Sequence, residues 1–529
     1  MSISILISVF FHLFKFCQVP PCLNADEAAI GYNAYSVMKT GRDEYGELFP
    51  IRFKSFGEYK MPLYIYASIP FIKLFGLNDL SVRLLNIVLG IGFIFLIYFL
   101  THEIFNNRKI AIISSFLISL TPWTYILTRH AHEAVSGSFL MLISWLFLLR
   151  YEKKGRFWDF LLTNFFIFIS ASAYNSTKTF LLFFLFYQIY LILKKRAHLS
   201  AFNELTKFFI AITATLSPFA IDFLLGANRV KNLFYINNPG FSLRINEYIG
   251  EHPYRLIHNK LFESILEVAR RYFTQISTDF FFVNGDKNLR FGFYGISLIN
   301  PVVFFLLLIG IYYLFRNKVN GKASLIFLLF LSPLTNSLTW QDQSLPRTFF
   351  MIFPLIIISA YGLYHWYLNF LKKKMGLSLI LAVVYLFFLF SSWDLYFFHY
   401  PKKAIVINSW QCGYKELGDY IKENYQRYDK FYITKSNGQP YIYSLFYLGY
   451  SPQNYQKQAL LSPLDEYGFG QVEGYDKFIF SFIDPKTVSN SVIVGTPHDF
   501  QNLSSVNFNQ DKIKKIIINN QEVFWLYEN

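Results

Sequence analysis

The chain has 529 residues, of which 53% are hydrophobic, 20% aromatic and only 16% charged, and its formal net charge is +15. Several apolar runs approach the roughly 20 residues needed to cross a bilayer and lack the polar stripe of a soluble amphipathic helix. This composition excludes an ordinary soluble domain, and basic residues scattered between apolar runs argue against a nucleic-acid-binding surface. An all-α polytopic membrane protein is predicted.

The first hydrophobic segment, Ile3 to Phe16, is short for a membrane span and contains His12 and Lys15. A cleaved signal peptide is the alternative, but no small-residue cleavage pattern follows the segment. A marginal or truncated first span is favoured. About eleven spans are predicted by length and composition, near residues 2–18, 79–100, 110–127, 131–150, 158–174, 178–193, 205–224, 296–315, 322–340, 347–369 and 376–397.

The loops between these spans predict an orientation. With a cytoplasmic N-terminus, every inner loop is short and basic, which is the positive-inside pattern. The basic clusters lie at 108–109, 150–156, 194–196, 316–322 and 372–374. The outer side then receives the first loop 19–78, a large loop 225–295 and everything after residue 397. A multi-pass protein of the cell membrane is predicted, with its active site on the extracytoplasmic face.

The three cysteines, Cys17, Cys22 and Cys412, show no spacing typical of a disulfide framework or of a zinc site. They are interpreted as packing residues or as chance occurrences.

The acidic pair Asp26 and Glu27 follows the first hydrophobic segment. It begins a stretch, Glu27 to Lys39, with apolar residues at helical spacing, which predicts an amphipathic helix on the membrane surface. Carboxylates in a first helical turn stabilise the helix by roughly 0.3–1 kcal/mol, so capping alone would explain the pair. A second pair, Asp43 and Glu44, reads equally well as a solvated turn.

Four basic residues stand at predicted outer ends of helices. Lys60 and Arg347 lie beside prolines that favour helix starts, and Arg129 and Lys178 adjoin short outer turns. Each alone is explained as a side chain that snorkels to the interface. If the four converge on the acidic pair, they form an anion site suited to a phosphate.

His130, His132 and Glu133 raise the possibility of a metal site. Their spacing does not match ligands on one helical face, which stand three or four positions apart, so interfacial histidines are favoured. Arg129 and Glu133, four apart, are predicted to pair along one helix or to point into one cavity.

After residue 397 the apolar runs shorten, and helix and strand patterns alternate. This predicts a membrane domain of residues 1–397 and a small outer α/β domain of residues 398–529. No phosphate-binding glycine motif is present, which favours binding or positioning over catalysis. The predicted helices are 413–425 and 441–448, and the predicted strands are 430–434, 477–482, 491–494, 513–518 and 523–527.

The stretch from Asp26 to Asn78 resembles the first outer loop of bacterial GT-C glycosyltransferases, the enzymes similar to dolichyl-phosphate-mannose protein mannosyltransferases and to the lipid A aminoarabinose transferase. Weaker matches to the family's sequence pattern follow along the rest of the chain. The motifs that carry the resemblance are Asp26-Glu27-Ala28, Gly31-Tyr32-Asn33-Ala34, Thr40-Gly41-Arg42-Asp43-Glu44, Gly57-Glu58-Tyr59-Lys60, Pro62-Leu63-Tyr64 and Phe75-Gly76-Leu77-Asn78.

The resemblance implies an inverting transferase that moves a sugar from a polyprenyl-phosphate donor to a hydroxyl of a protein, lipid or glycan at the outer face. It implies Asp26 as general base, Glu27 as its neighbour in the acceptor site, and Lys60 with Arg129 on the donor phosphate. Further candidates are Lys178 and Arg347 for the phosphate, and Asp43, Glu44, Glu58, Glu133 and Asp286 for the sugar or acceptor.

No divalent metal or other cofactor is expected, because a monophosphate leaving group needs less counter-charge than a diphosphate. The chain departs from the family pattern at Ala25, Met61 and Lys178, where an aromatic residue, a proline and an arginine are commoner. A flippase for a polyprenyl-linked sugar is the alternative function, and a non-catalytic surface receptor is a third.

Overall fold

The computed structural model describes residues 1–194, 201–224, 235–252, 255–339, 341–370, 372, 374–463, 470–484, 488–502 and 512–529. Parts of two predicted basic loops, residues 195–196 and 373, lie outside the described residues. So do residues 225–234 and 253–254 of the predicted large outer loop.

The described chain forms two compact units, each built from separate stretches of sequence. The first unit contains residues 1–14, 86–128 and 132–396, and the second contains residues 15–85, 129–131 and 397–529. The predicted first outer loop and the C-terminal tail therefore belong to one unit.

The α-helices provide most of the architecture. In chain order they are α1 Ser2–Leu13, α2 Ala25–Thr40, α3 Pro62–Phe75, α4 Asp79–Phe105, α5 Arg108–Ser119, α6 Pro122–Thr128, α7 Glu133–Lys154, α8 Phe157–Ala173, α9 Leu181–Lys194, α10 Ala201–Leu224, α11 Pro239–Glu251, α12 Lys260–Gln275, α13 Pro301–Arg316, α14 Lys322–Leu331, α15 Leu334–Ser337, α16 Leu345–Thr348, α17 Ile352–Asn369, α18 Met375–Asp394, α19 Ala404–Ser409, α20 Tyr414–Asn424, α21 Pro440–Leu448, α22 Pro452–Gln458 and α23 Pro497–Asn502. Short 3-10 or π segments cover Asn175–Phe180, Tyr235–Asn237, Asp279–Val283, Phe349–Met351, Leu395–His399 and Tyr400–Lys402.

Within the described residues, six helical segments are long and apolar enough to cross a membrane, and a seventh span results if the bent pair α5 and α6 is counted as one. The protein is thus a multi-pass membrane protein. The six are Asp79–Phe105, Glu133–Lys154, Asn175–Lys194, Glu204–Leu224, Leu345–Asn369 and Gly376–Lys402.

The prediction of eleven full spans is confirmed only in part. At three predicted positions the helix has only 12 to 17 residues, which is short for a full span; these are α1, α8 and α13. The predicted span 322–340 is broken between α14 and α15 at Pro333. Proline has no backbone N–H and therefore cannot donate the hydrogen bond that would continue the helix.

The second unit contains a two-stranded hairpin and a seven-stranded sheet. The hairpin pairs β1 Phe53–Ser55 with β2 Glu58–Lys60. The sheet strands are β3 Lys430–Ile433, β4 Leu460–Leu461, β5 Val472–Tyr475, β6 Phe478–Ile479, β7 Ser491–Gly495, β8 Ile513–Ile518 and β9 Gln521–Glu528. Their order is β4-β5-β6-β3-β7-β9-β8, and β3 runs parallel to both β6 and β7.

The helices and strands predicted in the tail are present close to their expected bounds, except that the strand predicted over 477–482 is only the two-residue β6, and β4, β5, α22 and α23 were not predicted. The helix predicted over 413–425 is α20, and the predicted hairpin turn at Asn519 and Asn520 joins β8 to β9, with both residues at positive φ. Asparagine tolerates that conformation better than most residues, which explains why the turn could be predicted from the sequence.

Helix α2 differs from its prediction. Nearly all of its faces are buried within the second unit, where it packs against α3 and α21, so it is not an amphipathic helix lying on a membrane surface. A Cβ at Gly31 would meet the side chains of Phe446 and Val82, so this glycine lets α2 and α21 approach closely. Of the apolar residues that predicted a surface helix, Ile30, Ala34 and Val37 are instead buried inside the protein.

A disulfide joins Cys22 to Cys412, with the two Cα atoms 5.5 Å apart. The interpretation of all three cysteines as unpaired packing residues was therefore wrong for these two, while Cys17 is an exposed free cysteine. The bridge joins positions 390 residues apart, and such a long-range pair leaves no local spacing pattern.

Candidate active site

The acidic pair stands at a fixed helix start. Asn24 caps α2, because its side chain accepts a hydrogen bond from the Glu27 N–H at 3.1 Å and the Glu27 carboxylate accepts one from the Asn24 N–H at 3.2 Å. This reciprocal capping box satisfies two backbone donors that a helix end otherwise leaves open. The predicted capping role of the pair is confirmed for Glu27.

Glu27 is also the partner of a buried arginine. Its two carboxylate oxygens accept hydrogen bonds from Nε and Nη2 of Arg83, both at 2.8 Å, and the side chains are 0% and 2% exposed. The Ala131 N–H donates to the same carboxylate at 2.8 Å. With its oxygens committed inside the protein, Glu27 holds the helix start in place and cannot contact an acceptor unless the pair opens.

Asp26, one residue earlier, has the opposite environment. Its side chain is 44% exposed, and its Oδ1 lies 2.5 Å from the Nζ of Lys60, whose side chain is only 7% exposed. The structure therefore brings the predicted base and one predicted phosphate ligand into direct contact, and the carboxylate is reachable from outside.

Lys60 is positioned by the β1–β2 hairpin. Its strand pairs with β1 in the register Phe53 to Lys60, and the turn residues Phe56 and Gly57 both have positive φ. A two-residue turn with two positive φ angles matches the right-handed twist of paired strands, and glycine suits the second position. The chain then enters α3 at Pro62, as predicted, so Lys60 is fixed between a hairpin and a helix start.

The second acidic pair is buried, which is not the environment of a solvated turn. Asp43 accepts hydrogen bonds from the N–H groups of Tyr45 and Glu47, and Asn33 bonds both the Glu44 backbone N–H and the Glu44 carboxylate. Among the described residues, the second oxygen of each carboxylate has no hydrogen-bond partner.

Burial shifts the protonation of both groups. It raises the pKa of Asp43 to about 6, although backbone donors act in the opposite direction. Burial also raises the pKa of Glu44 to about 8, against the lowering effects of Asn33 and of the Lys60 ammonium. Burial therefore favours the neutral form of Glu44 near neutral pH, which weakens its attraction for the Lys60 ammonium. Glu58 lies on β2, opposite Ser55.

Arg129 is buried rather than displayed at a surface. Its Nε and Nη2 donate to the carbonyl oxygen of Val19 at 3.0 and 2.6 Å, and its guanidinium stacks 4.9 Å from the ring centroid of Phe397. Helix α6 ends at Thr128 and α7 begins at Glu133, so the expected pairing of Arg129 and Glu133 along one helix was wrong.

The two neighbouring histidines have packing and capping contacts. His132 is the N-cap of α7 and accepts a hydrogen bond from the Ala134 N–H, while His130 packs edge-on against Trp410. In the part of the chain that the structure describes, no three His, Cys, Asp or Glu side chains are grouped to hold a metal ion. A metal-free reaction remains an expectation from the leaving group.

Lys178, in the first unit, forms an ion pair that the sequence analysis missed. Its Nζ lies 2.6 Å from Oδ2 of Asp222, on α10, and 2.9 Å from Oδ1 of Asn175. Asp222 is the acidic residue near the end of an otherwise apolar segment, and a charge in such a segment normally has a buried partner. That rule could have identified it.

Asp286 and Arg347 are also neighbours in the first unit. Asp286 accepts hydrogen bonds from the N–H groups of Leu345 and Asn288, which fastens its loop to the start of α16, the helix that carries Arg347. Burial raises the pKa of Asp286 to about 6, and the nearby Arg347 acts to lower it. Arg347 itself donates to Oγ1 of Thr339 at 2.5 Å.

The predicted site residues therefore fall into three groups of contacts. Asp26, Glu27 and Lys60 lie at the start of α2, and Glu44 is bonded to Asn33 farther along the same helix. Lys178 pairs with Asp222, and Arg347 lies near Asp286. Convergence of all four predicted cations on the acidic pair stays a prediction. The sequence analysis did not identify Arg83, which pairs with Glu27. It could have done so, because an arginine near the start of an apolar helix normally has a carboxylate partner.

These features define a multi-pass helical membrane protein with a carboxylate–lysine pair at a capped helix start. Residues 60–221 match the model of the dolichyl-phosphate-mannose-protein mannosyltransferase family. The resemblance to GT-C glycosyltransferases predicted from the sequence is confirmed.

Two solved structures align with most of the chain. ArnT from Cupriavidus metallidurans bound to undecaprenyl phosphate aligns with 99% of this chain and 96% of its own, at 10% sequence identity and a TM-score of 0.54, which shows a shared fold. The oligosaccharyltransferase AglB from Archaeoglobus fulgidus, in complex with an inhibitory peptide and a dolichol-phosphate, aligns with 84% of this chain at 11% identity and a TM-score of 0.48. The chain spans 63% of the length of AglB. No curated protein matches the chain in sequence.

Proposed function

We propose that this protein is a membrane glycosyltransferase that moves a sugar from a polyprenyl-phosphate donor to a hydroxyl acceptor, with inversion, and that Asp26 is its general base. The observation that carries the proposal is the contact between the exposed Asp26 carboxylate and the buried Lys60 ammonium, 2.5 Å apart at the start of α2. The match of residues 60–221 to a mannosyltransferase family supports the reaction class.

The proposed reaction is a single displacement. The acceptor oxygen attacks the anomeric carbon while its proton passes to Asp26, and the bond from that carbon to the phosphate oxygen breaks. The polyprenyl phosphate leaves with the bonding electrons. General-base catalysis of this kind contributes typically about 10²–10⁴-fold in rate.

Lys60 has two consecutive partners in this scheme. Before the donor binds, its ammonium neutralises Asp26; when the phosphate arrives, the ammonium also stabilises the charge that grows on the leaving group. Burial favours the neutral form of Glu44, which weakens its competition for that charge. Arg129, Lys178 and Arg347 are proposed as further phosphate ligands, which requires each to exchange a contact that it makes in this structure.

Asp43, Glu58, Glu133 and Asp286 stay candidates for contacts with the sugar or the acceptor. Glu27 is proposed to position Asp26, because its own carboxylate is held by Arg83. No metal ion is included, since side-chain cations suffice for a monophosphate leaving group.

We place the reaction on the extracytoplasmic face of the cell membrane, with the N-terminus cytoplasmic. Two observations support this orientation. The predicted inner loops are basic, and the disulfide between Cys22 and Cys412 belongs to the unit that contains Asp26. Disulfides persist in oxidising compartments and are rare in the cytosol.

The reaction class is tested with purified protein in liposomes supplied with undecaprenyl phosphate that carries a tritiated hexose or pentose, together with a membrane extract as acceptor. We expect the label to leave the lipid-linked fraction and unlabelled undecaprenyl phosphate to appear. Protein-free liposomes are the control. If the label crosses the bilayer but stays bonded to undecaprenyl phosphate, the protein is a flippase and the proposal is wrong.

A further inference from the structure

Helix α12, Lys260–Gln275, is amphipathic in the reverse sense of a soluble surface helix. Its large apolar residues are 41% to 73% exposed, while its buried positions are mostly polar. The exposed apolar residues are Leu261, Phe262, Ile265, Leu266 and Phe273, and the buried polar residues are Glu263, Ser264, Glu267, Arg271 and Gln275. At 3.6 residues per turn the two sets occupy opposite halves of the helix.

The polar half of α12 is committed to contacts inside the first unit. Glu267 pairs with Arg271 at 2.7 Å and with Arg270 at 2.6 Å, and Arg271 donates to the carbonyl oxygen of Thr339. Gln275 donates to the carbonyl oxygen of Asp342. The bonds of Arg271 and Gln275 reach residues outside the helix and fix its rotation, so that the apolar half faces outward.

The exposed stripe continues the apolar surface of a neighbouring helix. The Tyr272 hydroxyl, beside the exposed Phe273, donates to the carbonyl oxygen of Phe330 at 2.7 Å. Phe330 and Phe327 of α14 are themselves exposed apolar residues. Exposed large apolar side chains on two helices joined in this way are, in a multi-pass membrane protein, the surface expected against lipid.

We infer that α12 is an interfacial helix whose apolar half, Leu261, Phe262, Ile265, Leu266 and Phe273, is seated in the lipid bilayer. The apolar half lies at the boundary between the lipid headgroups and the acyl chains. There the apolar side chains leave water, while the opposite half keeps its ion pairs within the protein.

This seating has a consequence for the proposed site. Thr339, to which α12 is bonded, belongs to the segment just before Arg347. Its carbonyl oxygen accepts a hydrogen bond from Arg271, and its hydroxyl oxygen accepts one from Arg347. A helix anchored in lipid therefore holds this segment at the membrane boundary. If Arg347 binds a lipid phosphate, as the proposed function has it, that is the depth at which the phosphate lies.

The inference is tested by spin labelling in phosphatidylcholine–phosphatidylglycerol vesicles. The exposed Cys17 is first changed to serine and the disulfide is left intact. Single variants Leu261→Cys, Ile265→Cys and Phe273→Cys are then labelled with a nitroxide. Collision rates are measured with oxygen, which concentrates in lipid, and with a water-soluble nickel chelate. The matched control is Lys422→Cys, on the exposed face of α20 and 51% exposed.

We expect the ratio of oxygen to nickel collisions at the three α12 positions to exceed that at position 422 several-fold. Two results would overturn the inference. A ratio equal to that at position 422 would mean that the stripe lies in water, and low collision rates with both reagents would mean that protein covers it. Neither result bears on glycosyl transfer, so failure here is distinguishable from failure of the proposed function.

Discussion

Asp26 and Glu27 are adjacent carboxylates with different tasks, and their partners explain the difference. Glu27 faces a buried arginine and two backbone N–H groups, whereas Asp26 is half-exposed and touches Lys60. A general base must be reachable by its substrate and held in a fixed position. In the proposed mechanism, the pair divides these requirements between two residues on one helical turn.

The Arg83–Glu27 pair gives a test at the residue scale. We expect Arg83→Met to destabilise the protein strongly, by about 3–5 kcal/mol, because it leaves the Glu27 carboxylate buried without its cation. The change is measured as a fall in the thermal unfolding midpoint of the detergent-solubilised protein. Combining Arg83→Met with Glu27→Gln should restore part of the loss, since the buried charge is then gone.

The matched control is Arg427→Met. Arg427 is 63% exposed and stands 4.0 Å from Glu528, and exposed pairs of this kind contribute about 0–1 kcal/mol. Equal midpoint shifts for Arg83→Met and Arg427→Met would contradict the anchoring role of the buried pair.

At the scale of elements, local sequence signals were reliable and distant pairings were not. Pro62 starts α3, and the asparagines at 519 and 520 turn β8 into β9, because each residue acts through its own backbone conformation. The burial of α2 was missed, since its many small residues fit a surface helix and a packed one equally well. Only the fold shows that α3 and α21 cover it.

The Cys22–Cys412 bridge is a second feature that no local pattern reveals. It can be tested by counting the reactive thiols before and after reduction. Protein denatured without reductant should present one maleimide-reactive thiol, Cys17, out of three cysteines. After reduction it should present three. Mass spectrometry of the labelled protein gives the number directly.

The bridge should also stabilise the second unit, because a cross-link restricts the unfolded chain, typically by about 2–4 kcal/mol. The double variant Cys22→Ser with Cys412→Ser should therefore unfold at a lower temperature than the control Cys17→Ser. Three reactive thiols before reduction would contradict the bridge and remove one support for the extracytoplasmic assignment.

For the whole molecule, charge and hydropathy predicted a multi-pass membrane protein, and the motifs from Asp26 to Asn78 predicted its family resemblance; both are confirmed. Of the eleven predicted spans, six or seven are confirmed as long apolar helices within the described residues, because hydropathy does not register breaks such as Pro333 or helices that end early. The sequence also offered no sign that residues 15–85 and 397–529 share a unit. That association depends on the disulfide and on α2 packing against α21, contacts between residues far apart in the chain.

The most direct test of the central claim is the rate of sugar transfer by Asp26→Asn, measured with a tritiated undecaprenyl-phosphate sugar under the conditions that support wild-type transfer. The substitution keeps the size and helix position of the side chain but removes the base, so we expect the rate to fall by about 10²–10⁴-fold. The matched control, Asp419→Asn, changes a 60% exposed carboxylate of the same unit and should leave the rate unchanged. Near-normal transfer by Asp26→Asn would contradict the assignment of Asp26 as the general base.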